Sequence, residues 1–102
     1  MTKIISWNVN GIRACHRKGA FLSLLNNEAP DILGIQETKA WPEQLDSELL
    51  EDHGYHVVWA TAEKKGYSGT ATFSKTPPLE VQIGLGIEEF DREGRVLITR
   101  YG

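Results

Sequence analysis

The chain has a single cysteine, Cys15, among its 102 residues. No internal disulfide framework is open to it, and a lone thiol fits a reducing compartment. Nor does it carry an excess of positive charge. A formal charge of -3 at neutral pH argues against gripping nucleic acid by bulk electrostatics, so basic patches have to be sought residue by residue. No apolar run is long enough to cross a membrane. The opening Met-Thr-Lys-Ile-Ile-Ser-Trp-Asn lacks the apolar core of a secretory signal, and the expectation is a cytoplasmic protein. His16, His53 and His56 show no metal-ligand spacing, and there is no repeat, low-complexity tract or linker. What remains is ordinary globular material, 40% hydrophobic and 25% charged, enough for one small domain that has difficulty covering all its apolar surface.

The most informative stretch is Asp31-Ile32-Leu33-Gly34-Ile35-Gln36-Glu37-Thr38-Lys39. An apolar run preceded by Pro30 and closed by polar residues reads as a short strand buried on both faces, the habit of parallel sheets. In open α/β sheets the ligand crevice lies outside the carboxyl ends of the strands, which is where Glu37 falls. Upstream, Lys3 to Asn10 alternates, with Ile5, Trp7 and Val9 on one side and Ser6, Asn8 and Asn10 on the other. Asn10-Gly11 ends that strand in a turn. The polar leader from Gly11 to Gly19, carrying Arg13, His16, Arg17 and Lys18, is expected to run out over the surface. Residues Ala20 to Asn27 then place Phe21, Leu24 and Leu25 at helical spacing, with Pro30 as a stop. Strand, helix and strand make a crossover that forces the two strands parallel. If they are neighbours, Asn8 and Asn10 approach Glu37 on one rim.

Trp41-Pro42-Glu43-Gln44 opens a second expected helix, with Leu45, Leu49 and Leu50 as its apolar stripe and Glu43, Asp46, Glu48 and Glu51 toward water, ending at His53-Gly54. Strands are expected over Tyr55 to Ala60, Thr70 to Ser74, Leu79 to Leu85 and Arg95 to Tyr101. The loops between them are Glu63-Lys64-Lys65-Gly66-Tyr67-Ser68-Gly69, the punctuation Thr76-Pro77-Pro78, and the acidic stretch Gly86 to Gly94. Because the sequence closes on a strand with no following helix, the expectation is one part of a larger fold.

Each candidate has a plain reading beside the functional one. Glu37 can simply pair with Lys39, a contact worth about 0 to 1 kcal/mol when exposed. Asn10 serves as well for a turn as for a ligand, whereas Asn8, inside the strand, fits a turn less well. Arg13, Arg17 and Lys18 can be a solvated leader, and Tyr67 an ordinary loop aromatic whose flanking glycines leave its ring free to stack or wedge. Trp7, Trp41 and Trp59 read as core or helix-packing residues.

Taken together, Ser6-Trp7-Asn8-Val9-Asn10-Gly11-Ile12-Arg13-Ala14, Pro30-Asp31-Ile32-Leu33-Gly34-Ile35-Gln36-Glu37-Thr38-Lys39, Gly66-Tyr67-Ser68-Gly69 and Glu93-Gly94-Arg95-Val96 closely resemble the opening segments of the exonuclease III type of apurinic/apyrimidinic endonuclease. That type belongs to the exonuclease/endonuclease/phosphatase superfamily. The resemblance covers essentially the whole chain. It implies an α/β fold in which this sequence is one half of a four-layer α/β/β/α sandwich: a mixed sheet of about six strands with two helices on one face. Such proteins are well over twice as long; the later tyrosine, the Asp-x-Asn segment and the terminal Asp-His pair have no counterpart here, and Tyr101 does not match the active-site tyrosine.

By the same resemblance, Glu37 is the metal-binding glutamate and Asn8 the asparagine beside it that orders metal and phosphate. Arg13, Ala14 and Lys18 touch DNA phosphates, Gly66 and Tyr67 enter the duplex near the lesion, and Asn10 and Lys39 are accessory. The implied function is a Mg²⁺-dependent (or Mn²⁺-dependent) DNA repair nuclease. It would hydrolyse phosphodiesters at abasic sites and 3′ ends of double-stranded DNA. The isolated chain is expected to be inactive, and to self-associate or capture a missing half through a bare apolar sheet face. A superfamily phosphatase or lipid phosphodiesterase is the alternative within the enzymes; the Gly66-Tyr67-Ser68-Gly69 loop argues for DNA.

Overall fold

Alternating side chains build the central sheet, whose strands are β1 (Ile4–Asn8), β2 (Ile32–Gln36), β3 (His56–Ala60) and β4 (Thr70–Ser74), arranged β1-β2-β4-β3. The computed structural model of the chain describes residues 2–50, 53–64 and 66–102, without the Phe90 side chain. Glu51 and Lys65, placed above on a helix and in the glycine loop, lie outside the described residues. β1 and β2 are parallel, in register from Ile4↔Ile32 to Asn8↔Gln36, as the crossover requires. β4 is antiparallel to both β2 and β3.

The register sorts the side chains into rows. On one face lie Ile5, Leu33, Phe73 and Val57, then Trp7, Ile35, Ala71 and Trp59. On the other lie Ile4, Ile32, Ser74 and His56, then Ser6, Gly34, Thr72 and Val58, then Asn8, Gln36, Thr70 and Ala60. The apolar face is the core. Helix α2 (Ala20–Glu28) sits on it through buried Phe21 and Leu25. The Phe21 ring stacks on Trp7 at 6.1 Å and tilts against Phe73 at 5.2 Å. Expected as buried on both faces, β2 buries Leu33 and Ile35 fully but Ile32, Gly34 and Gln36 only in part. Likewise, the face away from the helices is mostly small and polar, not the bare apolar surface anticipated.

Three elements differ from the sequence reading. The leader after β1 is not a surface coil: helix α1 (Ile12–Arg17) forms there, because Ile12 and Cys15, one turn apart, both reach the core. The second helix is broken into a 3₁₀ turn at Pro42–Gln44 and the short α3 (Ser47–Leu50), with Leu45 extended between them at φ -107°. Trp41 N–H donates to Gln44 Oε1 at 2.8 Å, which closes the first turn. Finally, a helix α4 (Glu88–Asp91) interrupts the acidic loop. Asp91 holds it by accepting from the Leu85 and Gly86 N–H groups, each at 2.8 Å.

All six expected strands form, but in two sheets. β5 (Glu80–Ile83) and β6 (Leu97–Arg100) make a separate antiparallel pair. Pro77 and Pro78, which lack N–H donors, separate β4 from β5 and keep the central ladder from extending into it. β6 still passes close to β4, leaving a cavity of about 220 Å³ lined by Gly34, Gln36, Thr70, Thr72, Arg95 and Leu97.

Candidate functional site at the carboxyl ends of the parallel strands

Hydrogen bonding between β1 and β2 continues past the strands. Val9 N–H donates to Gln36 O at 3.0 Å, Gly11 N–H to Glu37 O at 2.8 Å and Ile12 N–H to Thr38 O at 2.9 Å. The glycine loop joins from the other side: Thr38 N–H donates to Gly69 O at 3.1 Å and Lys39 N–H to Ser68 O at 2.7 Å. Three segments distant in sequence are thereby fixed along one rim. Its backbone is unusual, since Asn10, Glu37, Lys39 and Ser68 all adopt positive φ, at 47°, 54°, 53° and 47°. For residues with a Cβ each such conformation costs on the order of 1 kcal/mol or more, and it persists where the surroundings over-determine it. Thr38, between two of them, is buried. Gly69 leaves room for it: a Cβ there would lie 2.3 Å from Thr38 Oγ1.

On this rim the expected residues meet. Asn8 Nδ2 donates to Glu37 Oε2, and Asn8 Oδ1 accepts from the Asn10 N–H at 3.0 Å. Lys39 Nζ donates to Asn10 Oδ1 at 2.6 Å and stands 3.8 Å from Glu37 Oε1. The plain Glu37–Lys39 pair therefore exists, but as one side of a four-residue network. The Glu37 side chain is 41% exposed, so its carboxylate is open to a ligand. Carboxylate and amide oxygens suit a hard cation such as Mg²⁺, which keeps several waters and needs only one or two carboxylates. Glu37 fits that sparse donor set, with Asn8 orienting its carboxylate. Among the described residues no group of three or more His, Cys, Asp or Glu could hold a metal, so a dedicated all-protein cage is not present in them.

Arg13 reaches the rim, its Nη2 donating to Lys39 O at 3.4 Å. Ala14 is partly buried one position further along α1, and Lys18 is exposed at that helix's carboxyl end. Across the rim, Glu37, Lys39, Gly66, Tyr67, Ser68 and Arg95 line one cavity of about 410 Å³. Tyr67 is 41% exposed. A further residue, to which the sequence reading gave no role, stands beside it: Arg95 Nη2 donates to the Tyr67 hydroxyl at 3.2 Å, and its guanidinium carbon lies 5.7 Å from the ring centroid. Its signal was the Glu93-Gly94-Arg95 sequence itself, an acid two residues before a base, joined here at 2.6 Å. The single cysteine takes no part in the rim; burial pushes the Cys15 thiol pKa upward, against the pull of Lys18.

The endonuclease/exonuclease/phosphatase family pattern matches residues 5–102. An exodeoxyribonuclease of Bacillus subtilis is 54% identical over 99 residues, an alignment that takes in 97% of this chain and 38% of the relative. An AP endonuclease structure from Archaeoglobus fulgidus superposes with a TM-score of 0.82 at 35% identity, covering 97% of this chain and 37% of that one. A 3′ phosphatase structure from Neisseria, bound to a product DNA hairpin, gives 0.81 at 32% identity, with 97% of this chain and 37% of that one covered. The α/β architecture is that of the corresponding part of these proteins, and this chain spans less than two fifths of each. On the whole-length pattern match and these likenesses, the chain belongs to the endonuclease/exonuclease/phosphatase family.

Proposed function

We propose that these residues form the N-terminal half of a Mg²⁺-dependent DNA repair nuclease that cleaves beside abasic sites and trims 3′ ends. The observation that carries the reading is the Asn8–Glu37 contact on the rim shared by β1 and β2. Phosphodiester hydrolysis builds negative charge on the non-bridging and leaving oxygens, and a bound Mg²⁺ supplies the compensating charge. Glu37 would hold the ion. Asn8 keeps that carboxylate oriented through its Nδ2–H, while its own oxygen is tied down by Asn10. Lys39 adds a cation at the same edge, restrained by Asn10. Arg13, the Ala14 backbone and Lys18 would grip phosphates without reading sequence, and Gly66 with Tyr67 would press into the groove.

The isolated chain is expected to turn over little or no DNA, because an oriented ligand without a positioned base or leaving-group acid lacks most of the catalytic gain. A chimera tests the reading. Replacing the corresponding segment of the Bacillus subtilis exodeoxyribonuclease with this chain should preserve its exodeoxyribonuclease activity, and Glu37→Gln within it should lower kcat by about 10²-fold or more. Unchanged cleavage by the Glu37→Gln chimera, or robust turnover by the 102 residues alone, would contradict it.

A second reading concerns assembly. Leu79, Val81, Ile83, Leu85, Ile87 and Ile98 are each 44 to 66% exposed, all on or beside the β5–β6 hairpin. Apolar surface gathered in this way tends to find a partner. Self-association of the chain, or capture of a complementary half, would run through this hairpin. Sedimentation at micromolar concentration should show association that Ile83→Asp reverses; a monomer at every concentration is the contrary result.

A further inference from the structure

We infer that Arg95 is a positioning residue for DNA contact: it sets the tilt of the Tyr67 ring, acting through that ring and not through a phosphate of its own. This rests on the reading of Tyr67 as a duplex-contacting residue.

The loop that delivers Arg95 is held at several points. Gly94 packs directly on the end of β3, where a Cβ would lie 2.4 Å from the Thr61 carbonyl carbon and 2.5 Å from Ala62 N, so no larger residue fits at that φ of +61°. Glu63 N–H donates to Arg92 O at 2.8 Å, and Gly84 N–H to Val96 O at 2.9 Å. Arg95 thus leaves a backbone fixed on both sides.

Its side chain is then constrained by its neighbours. Nε donates to Glu93 Oε2 at 2.6 Å and Nη2 to the Tyr67 hydroxyl at 3.2 Å, while the guanidinium lies 5.7 Å from the ring centroid. Lys64 Nζ is 5.9 Å from the same centroid. A cation at this range is attracted to an aromatic face, and a planar guanidinium can do this while also donating a hydrogen bond to the ring's hydroxyl, as Arg95 does. Tyr67 is flanked by Gly66 and Ser68, both at positive φ, and Lys64 of the same loop stands over its ring. Arg95 adds a restraint from outside the loop, holding both the hydroxyl and the ring. Because Glu93 already compensates its charge, Arg95 is poorly suited to act as a free phosphate anchor, although it lines the cavity shared with Glu37 and Lys39. The arrangement suits preorganisation: a ring already set at its contact angle loses less freedom on binding.

The test uses the 102-residue chain and a short duplex carrying an abasic-site analogue. In ¹⁵N NMR spectra the Arg95 Nε–H, bonded to Glu93, should give a slowly exchanging signal shifted by the Tyr67 ring, and Tyr67→Leu should remove the ring's share of that shift. Duplex affinity, followed over a salt series, should fall about five- to tenfold for Arg95→Ala and equally for Tyr67→Ala, with no further loss in the double variant. The salt slope should not change, and Arg95→Lys should not rescue. Additive losses, or a slope reduced by about one in Arg95→Ala, would mark a direct phosphate contact and overturn the inference. So would an Arg95 signal indifferent to Tyr67→Leu. A wild-type chain that leaves the duplex unbound contradicts the DNA reading itself, and the positioning role falls with it; binding that survives Arg95→Ala contradicts the positioning role alone.

Discussion

The two faces of the four-stranded sheet are built from the same strands in the same register, yet they differ in nearly every row. Toward α2 the rows are Ile5-Leu33-Phe73-Val57 and Trp7-Ile35-Ala71-Trp59; away from it they include Ser6-Gly34-Thr72-Val58 and Asn8-Gln36-Thr70-Ala60. The first face is a core with four contacting aromatic rings, Trp7, Phe21, Phe73 and Trp59. The second carries polar bonds along its surface, such as Gln36 Nε2–H to Ser6 Oγ at 3.1 Å. Stability therefore resides mainly on one side. Asn8 belongs to the last row of the polar side, and the chain bends there to bring Glu37 beside it. The site grows from the face that does not carry the fold.

Substitutions on the two faces should separate accordingly. Phe73→Ala removes a fully buried ring that touches Phe21, His53 and Trp59. Its expected cost is about 3 to 5 kcal/mol in a urea melt, a large share of what a small domain has. Thr72→Val, on the opposite face of the same strand, should change stability by less than about 1 kcal/mol. Equal losses at the two positions would erase the distinction between the faces.

Cys15 probes the core side without substitution. Its folded pKa lies above the ordinary thiol value through burial, so the protonated form is the one favoured by folding. The associated stability is present below the unfolded thiol pKa and is lost as pH rises through the folded one. At pH 8 the thiol should react with a disulfide reagent far more slowly than after denaturation; equal rates would place Cys15 outside the core.

The smallest effect is expected at the edge. Lys3 Nζ donates to Glu28 Oε1 at 2.8 Å, and this bond lowers the Glu28 pKa from its ordinary value. The contribution is present above the unfolded pKa and fades as pH falls through the folded one. A small stability difference between the chain and Glu28→Gln at neutral pH should vanish below about pH 4; a difference that persists at lower pH would show another cause.

Much of this was legible in the sequence, for identifiable reasons. Alternation from Lys3 to Asn10 and the apolar run before Glu37 pointed to two parallel strands, and the topology then implied the Asn8–Glu37 meeting, which the structure shows. Periodicity failed where segments were short. Helix α1 rests on two buried residues, Ile12 and Cys15, among five exposed or partly exposed ones from Gly11 to Arg17. No local signal announced that the six strands would divide four and two, since that depends on where the chain travels after Pro77-Pro78. The Arg95–Tyr67 contact joins residues 28 apart; the close approach of Gly94 to Thr61 and Ala62, with the Glu63–Arg92 backbone bond, brings them together.

The rim itself is open to one direct test. Titrating Mn²⁺ into ¹⁵N-labelled chain should broaden the amide signals of Asn8, Asn10, Glu37 and Thr38 before all others, and Glu37→Gln should abolish that broadening while leaving the rest of the spectrum in place. Broadening centred instead on Glu88, Glu89 and Asp91, or unchanged by Glu37→Gln, would contradict a divalent-ion site at the ends of the two parallel strands.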